Sequence, residues 1–206
     1  MLVVNRLNYN DREILVNNEI FEPGSIYLIL GKNNSGKTSF CNALASCNDK
    51  NILHWHSEML TVESIHFTES GIPNFFFVTG KELLMGWGGK ANMQFVLSMA
   101  RELKLPLESA ADSYSVSEKR LLSILLSVTF NKEVYLFDDP FVYLDADNCK
   151  LVNKMFLFLK EKGKIVIITS SFENHIEYVD EVKIIENYTI NYPTIFSKIN
   201  YIKPAV

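Results

Sequence analysis

The sequence predicts an α/β fold, and two stretches carry that prediction. The first is the apolar run Ile26–Leu30, followed by a loop bounded by Gly31 and Gly36 and then by residues compatible with a helix. The second is Val134–Phe137, four apolar residues that fit a strand buried on both faces. It ends in two carboxylates, Asp138 and Asp139. Sheets of this class place ligand sites at the carboxyl ends of their strands, which is where both stretches turn polar.

The loop fits the pattern G-x-x-x-x-G-K-[ST], with Gly31, Gly36, Lys37 and Thr38 in the fixed places. Glycines let the backbone wrap a phosphate so that consecutive N–H groups point inward. The following helix adds the positive end of its dipole. Lys37 can reach the β- and γ-phosphates of a nucleotide, and the Thr38 hydroxyl can ligate Mg²⁺. The rest of the loop, Asn33, Asn34, Ser35 and Ser39, is expected to line the same phosphates. Asp138 can hold the Mg²⁺ directly or through water, and Asp139 can orient or deprotonate an attacking water. An Asp-Asp-Pro after a strand is by itself an ordinary turn. Paired with the upstream loop it becomes the second half of a P-loop NTPase pattern.

Composition narrows the class. The 206 residues suit one domain, or one with a small subdomain. A hydrophobic fraction of 48% fills a sizeable core, and a net charge of −4 without a basic block gives no broad nucleic-acid footprint. Cys41, Cys47 and Cys149 are an odd, widely spaced set, as in reduced thiols of the cytoplasm. No apolar run approaches the about 20 residues needed to cross a bilayer, and the N-terminus lacks a signal-peptide layout. The expectation is a cytoplasmic protein; any membrane spans would come from a partner.

In chain order, Leu2–Leu7 and Glu13–Val16 read as strands around the turn Asn8–Arg12, and Glu19–Phe21 as another before Ile26–Leu30. Tyr9, in that first turn, could stack on an adenine ring or be a surface tyrosine. Thr38–Ser46 should be the helix after the loop. Ile52–His56, Ser64–Phe67 and Phe75–Val78 read as strands. His54, His56 and Glu58 alternate, as for a metal site or simply a solvated strand face. Lys81–Gly89 is a loop or broken helix, and Ala91–Leu103 has helical spacing. Ser115 can cap the helix Ser115–Phe130, with Glu118 completing a capping box; a polar helix start can also receive an anion. Asp145–Lys162 is a helix ended by Gly163, Ile165–Ile168 a strand, and Val182–Ile190 a hairpin around Glu186 and Asn187. The tail from Tyr192 is expected at the surface.

The order of these parts resembles the nucleotide-binding subunit of ABC transporters, from Tyr9 to Ser171. The resemblance implies an N-terminal antiparallel β-subdomain on a RecA-like core, with a small helical subdomain at about residues 81–130, in a single domain over 1–206. It implies ATP and Mg²⁺ as ligands, integral membrane permease subunits as partners, and a homo- or heterodimer of nucleotide-binding domains. In that dimer ATP lies between one chain's phosphate loop and the other chain's signature. The chain would then sit at the inner face of the cell membrane through its permease. By its compactness, and by Asp139-Pro140-Phe141 leading into Leu144-Asp145, it is most similar to the small haem-exporter ATPase of cytochrome c maturation. Several positions depart from the family pattern. The signature L-S-G-G-Q reads Tyr114-Ser115-Val116-Ser117-Glu118, keeping Ser115 but not the glycines. Asp139 stands for the catalytic glutamate, Ser171 for the switch histidine, and Gly80 or Lys81 near the Q-loop glutamine, while Asp145 of the D-loop is kept. The resemblance therefore implies firm ATP·Mg²⁺ binding, with slow hydrolysis in a transport motor or with none in a nucleotide switch. A P-loop kinase is a weaker third reading, against the order of the parts.

Overall fold

A computed structural model describes residues 1–10, 12–46, 52–55, 58–59, 62–87, 89–172 and 176–191. Its strands form two sheets. In the antiparallel one, β1 (Leu2–Tyr9) pairs with β2 (Arg12–Ile14), β3 (Glu19–Phe21) and β5 (Ile52–Trp55), and β6 (Glu58–Met59) pairs with β5. Leu2, Val4 and Leu7 of β1 are buried. The alternation slips by one residue between Val4 and Leu7 because the register with β5 shifts between Val4 and Arg6.

The second sheet has the order β11-β10-β4-β9-β8-β7. Its members are β4 (Ser25–Leu30), β7 (Ile65–Thr68), β8 (Val134–Asp138), β9 (Ile165–Ser170), β10 (Glu181–Glu186) and β11 (Thr189–Asn191). All pair in parallel except β11, which returns antiparallel to β10. A parallel sheet needs cover on both faces, and the residues sort by parity to provide it. Tyr27 and Ile29 of β4, with Val134 and Leu136 of β8, pack with Phe40, Cys41 and Leu44 of α1 (Lys37–Ser46) and with the antiparallel sheet. Ile26, Leu28, Tyr135 and Phe137 pack on the opposite face among helices. Between β7 and β8 these are α2 (Gly80–Glu82), which runs into a π-helical turn at Leu83–Trp87, α3 (Met93–Glu102) and α4 (Val116–Val128); α5 (Ala146–Glu161) follows β8. Asp145 caps α5 by accepting the Asn148 N–H at 2.8 Å. Gly163, at φ +73°, lies just beyond its end.

The two sheets are tied by a buried ion pair. Lys183 of β10 reaches Glu19 of β3 at 2.7 Å, both 1% exposed, and Glu181 at 2.7 Å. Its ammonium also lies 5.4 Å from the Phe21 ring centroid.

Some expectations change. Phe75–Val78 is not a strand: Phe76 and Phe77 are 64% and 95% exposed, and Phe77 has φ +61°. Only Phe75 and Val78 pack on the core, and a short apolar run does not by itself distinguish strand from loop. Tyr9 ends β1, in register with Arg12, instead of sitting in the turn. The terminal hairpin turns at Asn187 and Tyr188, one residue later than expected. The side chains of His54, His56 and Glu58, Cys47, and the tail from Tyr192 lie outside the described residues. Among the described residues no His/Cys/Asp/Glu cluster of metal-binding size occurs, and no helix is long and apolar enough to cross a membrane.

Candidate nucleotide site

The phosphate loop leaves β4 at the carboxyl edge of the parallel sheet. Gly31 donates its N–H to the Ser170 carbonyl at 3.1 Å, joining the ends of β4 and β9. A Cβ on Gly31 would lie 2.3 Å from Ser35 Oγ and 2.6 Å from the Ile185 carbonyl, so the loop closes only around glycine. Gly36 has φ +110°, and the Tyr188 ring lies against it. Lys37 is buried, and its ammonium folds back into the loop. It donates to the Gly31 carbonyl at 2.8 Å, the Lys32 carbonyl at 3.2 Å and Ser171 Oγ at 2.9 Å. Ser171 Oγ in turn donates to Asn33 Oδ1 at 2.9 Å.

β8 brings its carboxylates to the same place. Thr38 Oγ1 donates to Asp138 Oδ2 at 2.7 Å, and Thr169 Oγ1 donates to Asp138 Oδ1 at 2.5 Å. Asp138 is fully buried, while Thr38, at the first turn of α1, is exposed. Asp139 adopts φ +43°, a backbone region that concentrates at functional sites in non-glycine residues. Its Oδ1 accepts the Ser171 N–H at 3.1 Å. Burial pushes the Asp139 carboxyl above its ordinary range, against the pull of Lys37, the Ser171 N–H and Arg120. One cavity of about 470 Å³ is lined by Asn34, Gly36, Lys37, Thr38, Ser39 and Tyr188. A second, of about 420 Å³, is lined by Asn33, Asp139, Ser170 and Ser171 together with Phe141, Val142 and Phe172.

Lys37, Thr38, Asp138, Asp139, Asn33 and Ser171 therefore meet, although they come from three separate stretches of sequence. Asn34, Gly36 and Ser39 line the cavity beside Lys37 and Thr38, whereas no hydrogen bond described joins Ser115, Asp145 or Tyr9 to these groups. Ser115 caps α4: its Oγ accepts the Glu118 N–H at 3.3 Å, and Glu118 Oε2 accepts the Ser115 N–H at 2.7 Å and its hydroxyl at 2.6 Å. The N–H and hydroxyl of Ser115 are thus taken up by Glu118. Asp145 is occupied as the cap of α5. Tyr9 is half-buried at the end of β1, packed on the core beneath the antiparallel sheet. The Q-loop place expected at Gly80 or Lys81 falls in α2, where Lys81 pairs with Glu108 at 2.8 Å. The residue that directly follows β7, at the edge that carries Asp138, is Glu69.

Two residues of the site escape the sequence reading. Arg120, in the first turns of α4, is fully buried. Its Nη2 donates to the carbonyls of Asp138 at 2.7 Å and Asp139 at 2.9 Å, Nε to that of Pro140 at 3.3 Å, and Nη1 to that of Glu69. It fixes the backbone that aims both carboxylates. The available signal was slight: Arg120 closes the polar start Ser117-Glu118-Lys119 of α4, directly before the apolar run that begins at Leu121. The other is Tyr188, signalled by a large aromatic next to asparagine in a two-residue hairpin turn.

The donor set suits a magnesium nucleotide. The cavity beside Gly36, Lys37 and Thr38 gives a phosphate room next to the loop, and a hydroxyl paired with a carboxylate offers the hard oxygen ligands that Mg²⁺ takes.

No family model matches the chain. A Pyrococcus furiosus protein provisionally named an ABC transporter ATP-binding protein is 31% identical over 75 residues, 36% of this chain. That match spans 28% of the Pyrococcus protein's length. The cytochrome c biogenesis ATP-binding export protein of Rickettsia felis is 24% identical over 187 residues, covering 86% of this chain and 96% of that protein. Among solved structures, an ATP-binding subunit of an ABC transporter superposes with TM-score 0.78 at 17% identity, covering 92% of this chain and 87% of that one. A bacterial ABC transporter cassette solved as a dimer gives TM-score 0.73 at 15% identity, over 92% and 96%. The fold is that of an ABC-transporter ATP-binding cassette, a P-loop NTPase, and the sequence resembles such domains along most of its length.

Proposed function

We propose that this chain, folded as an ABC ATP-binding cassette, binds ATP with Mg²⁺ and hydrolyses it to drive a separate membrane permease. The observation that carries the reading is the convergence of Lys37, Thr38, Asp138, Asp139 and Ser171 at one edge of the parallel sheet. Lys37, freed from the Gly31 and Lys32 carbonyls, would bind the β- and γ-phosphates, with the loop N–H groups around them. Thr38 and Asp138 would hold the Mg²⁺, which supplies charge neutralisation on the phosphates. Asp139 would accept the proton of the attacking water; its raised affinity for protons suits a general base. Ser171 holds Asp139 through its N–H and Lys37 through its hydroxyl. A serine cannot place an imidazole on the γ-phosphate, and aspartate is one methylene shorter than glutamate. Misplacement by about 1 Å can cost on the order of 10²-fold in rate, so turnover is expected to be slow.

The site would lie in a homo- or heterodimer, at the inner face of the membrane through the permease. Support comes from the dimeric cassette of the same fold and from Val142 and Phe172, which are 42% and 73% exposed beside Asp139. Haem export in cytochrome c maturation is the finer reading, supported by the similarity to the Rickettsia protein. A second reading, a nucleotide switch that binds without hydrolysing, is favoured by the Ser115 donors being already satisfied by Glu118.

The test is titration calorimetry with ATP and Mg²⁺, and phosphate release by the chain purified with its native membrane partners. Binding that Lys37→Ala abolishes and turnover that both Lys37→Ala and Asp139→Asn abolish are the expected results. No binding at millimolar ATP would sink the proposal; binding without turnover in the wild type would leave the switch.

A further inference from the structure

The hairpin between β10 and β11 has a two-residue turn, Asn187 at φ +48° and Tyr188 at φ +62°. Turns of this kind need positive φ at both positions, and the second is where glycine is strain-free. For a bulky side chain this conformation is a genuine outlier. The surroundings over-determine it. The Tyr188 N–H donates to the Ser35 carbonyl at 2.9 Å, and its carbonyl accepts the Leu15 N–H at 2.8 Å. The phosphate loop and the segment just after β2 thus hold the residue from both sides.

This backbone sets the ring beside the phosphate loop. A Cβ on Gly36 would lie 2.9 Å from Tyr188 Cδ1 and 3.3 Å from Cε1. The ring is half-buried on the core and forms a wall of the 470 Å³ cavity whose other walls are Asn34, Gly36, Lys37, Thr38 and Ser39. A phosphate held by the loop would leave the rest of its ligand passing this wall. Packing alone would not call for an aromatic at a strained turn position, and strain of this kind concentrates at ligand clamps.

We infer that the Tyr188 ring contacts the nucleoside of the bound triphosphate as it emerges from the phosphate loop. The inference rests on the nucleotide-binding reading above and adds to it a residue that sets affinity for the nucleoside, separate from the groups that bind phosphate. Aromatic rings stack on every base, so the contact raises affinity without choosing between purines.

Calorimetry on the full chain with Mg²⁺ compares two probes, ATP and inorganic tripolyphosphate, which lacks base and ribose. In Tyr188→Gly, affinity for ATP is expected to fall about tenfold while affinity for tripolyphosphate stays at the wild-type level. Tyr188→Asn, which tolerates positive φ, is expected to behave alike, so one variant that fails to fold leaves the other to report. Tyr188→Phe is expected to bind ATP as the wild type does; a loss there as large as in Tyr188→Gly would overturn the ring contact. So would unchanged ATP affinity in Tyr188→Gly, or a fall for both probes together, which would make Tyr188 a support of the loop. A wild-type chain that binds neither probe would overturn the nucleotide reading itself, a result distinct from the others.

Discussion

Replacing Arg120 with methionine isolates what aims the carboxylates. The residue is fully buried and donates to four backbone carbonyls, those of Glu69, Asp138, Asp139 and Pro140. Methionine keeps much of the apolar stem but no donor. A buried acceptor that loses its partner costs about 1–3 kcal/mol, and four are affected. Part of this is returned, because the guanidinium no longer has to be desolvated; burial already lowers its affinity for a proton. The net loss of unfolding free energy is expected at about 3–5 kcal/mol, as for removing one member of a buried charged pair. Arg120→Lys, with three donors and no planar fork, should recover only part. Urea unfolding followed by tryptophan fluorescence and by circular dichroism measures the difference. At equal ATP saturation, turnover should also fall, because Arg120 holds Asp139 and does not touch Lys37 in any hydrogen bond described. An Arg120→Met protein within about 1 kcal/mol of the wild type, with normal turnover, would refute the reasoning.

Lys183→Met leaves Glu19 buried without its ammonium and should cost about 3–5 kcal/mol, read as a lower urea midpoint; Lys183→Met with Glu19→Leu should recover most of it. Burial, and to a lesser degree Lys132, lowers the His66 imidazole from 6.5 to about 4. Between those values the unfolded chain binds the proton more tightly, so stability falls as pH drops, by about 3 kcal/mol over the whole window. His66→Gln should flatten that slope in unfolding curves taken from pH 7 to pH 4. Asp139 has the opposite sign: the native state binds its proton more tightly than the unfolded chain, so ionising it costs stability as pH rises through its raised value. Asp139→Asn should therefore melt higher than the wild type at neutral pH, with the gain fading in acid, while phosphate release is abolished.

Local signals in the sequence reached far. The loop from Gly31 to Ser39, the apolar strand before Asp138, the capping box of Ser115 and Glu118 and the stop at Gly163 all depend on neighbours within a few residues. Such neighbours fix φ and ψ through sterics and capping, whatever the rest of the chain does. Periodicity misled only where a short apolar run was bounded by no partner: Phe75–Val78 has the composition of a strand but gains no ladder. Tertiary structure alone decided which distant groups meet. Placing β4 between β9 and β10 brings Ser171 to Lys37 and the Asn187–Tyr188 turn to Gly36. Packing α4 against the end of β8 points Arg120 at the Asp138 and Asp139 carbonyls. The phosphate loop, the main helices and most strands were legible in the sequence, whereas the positive φ of Asp139 and Tyr188 was not. The hydrogen bonds that join Lys37, Ser171, Asp139 and Arg120 were not, because they follow from strand order and helix docking, contacts made across long stretches of chain.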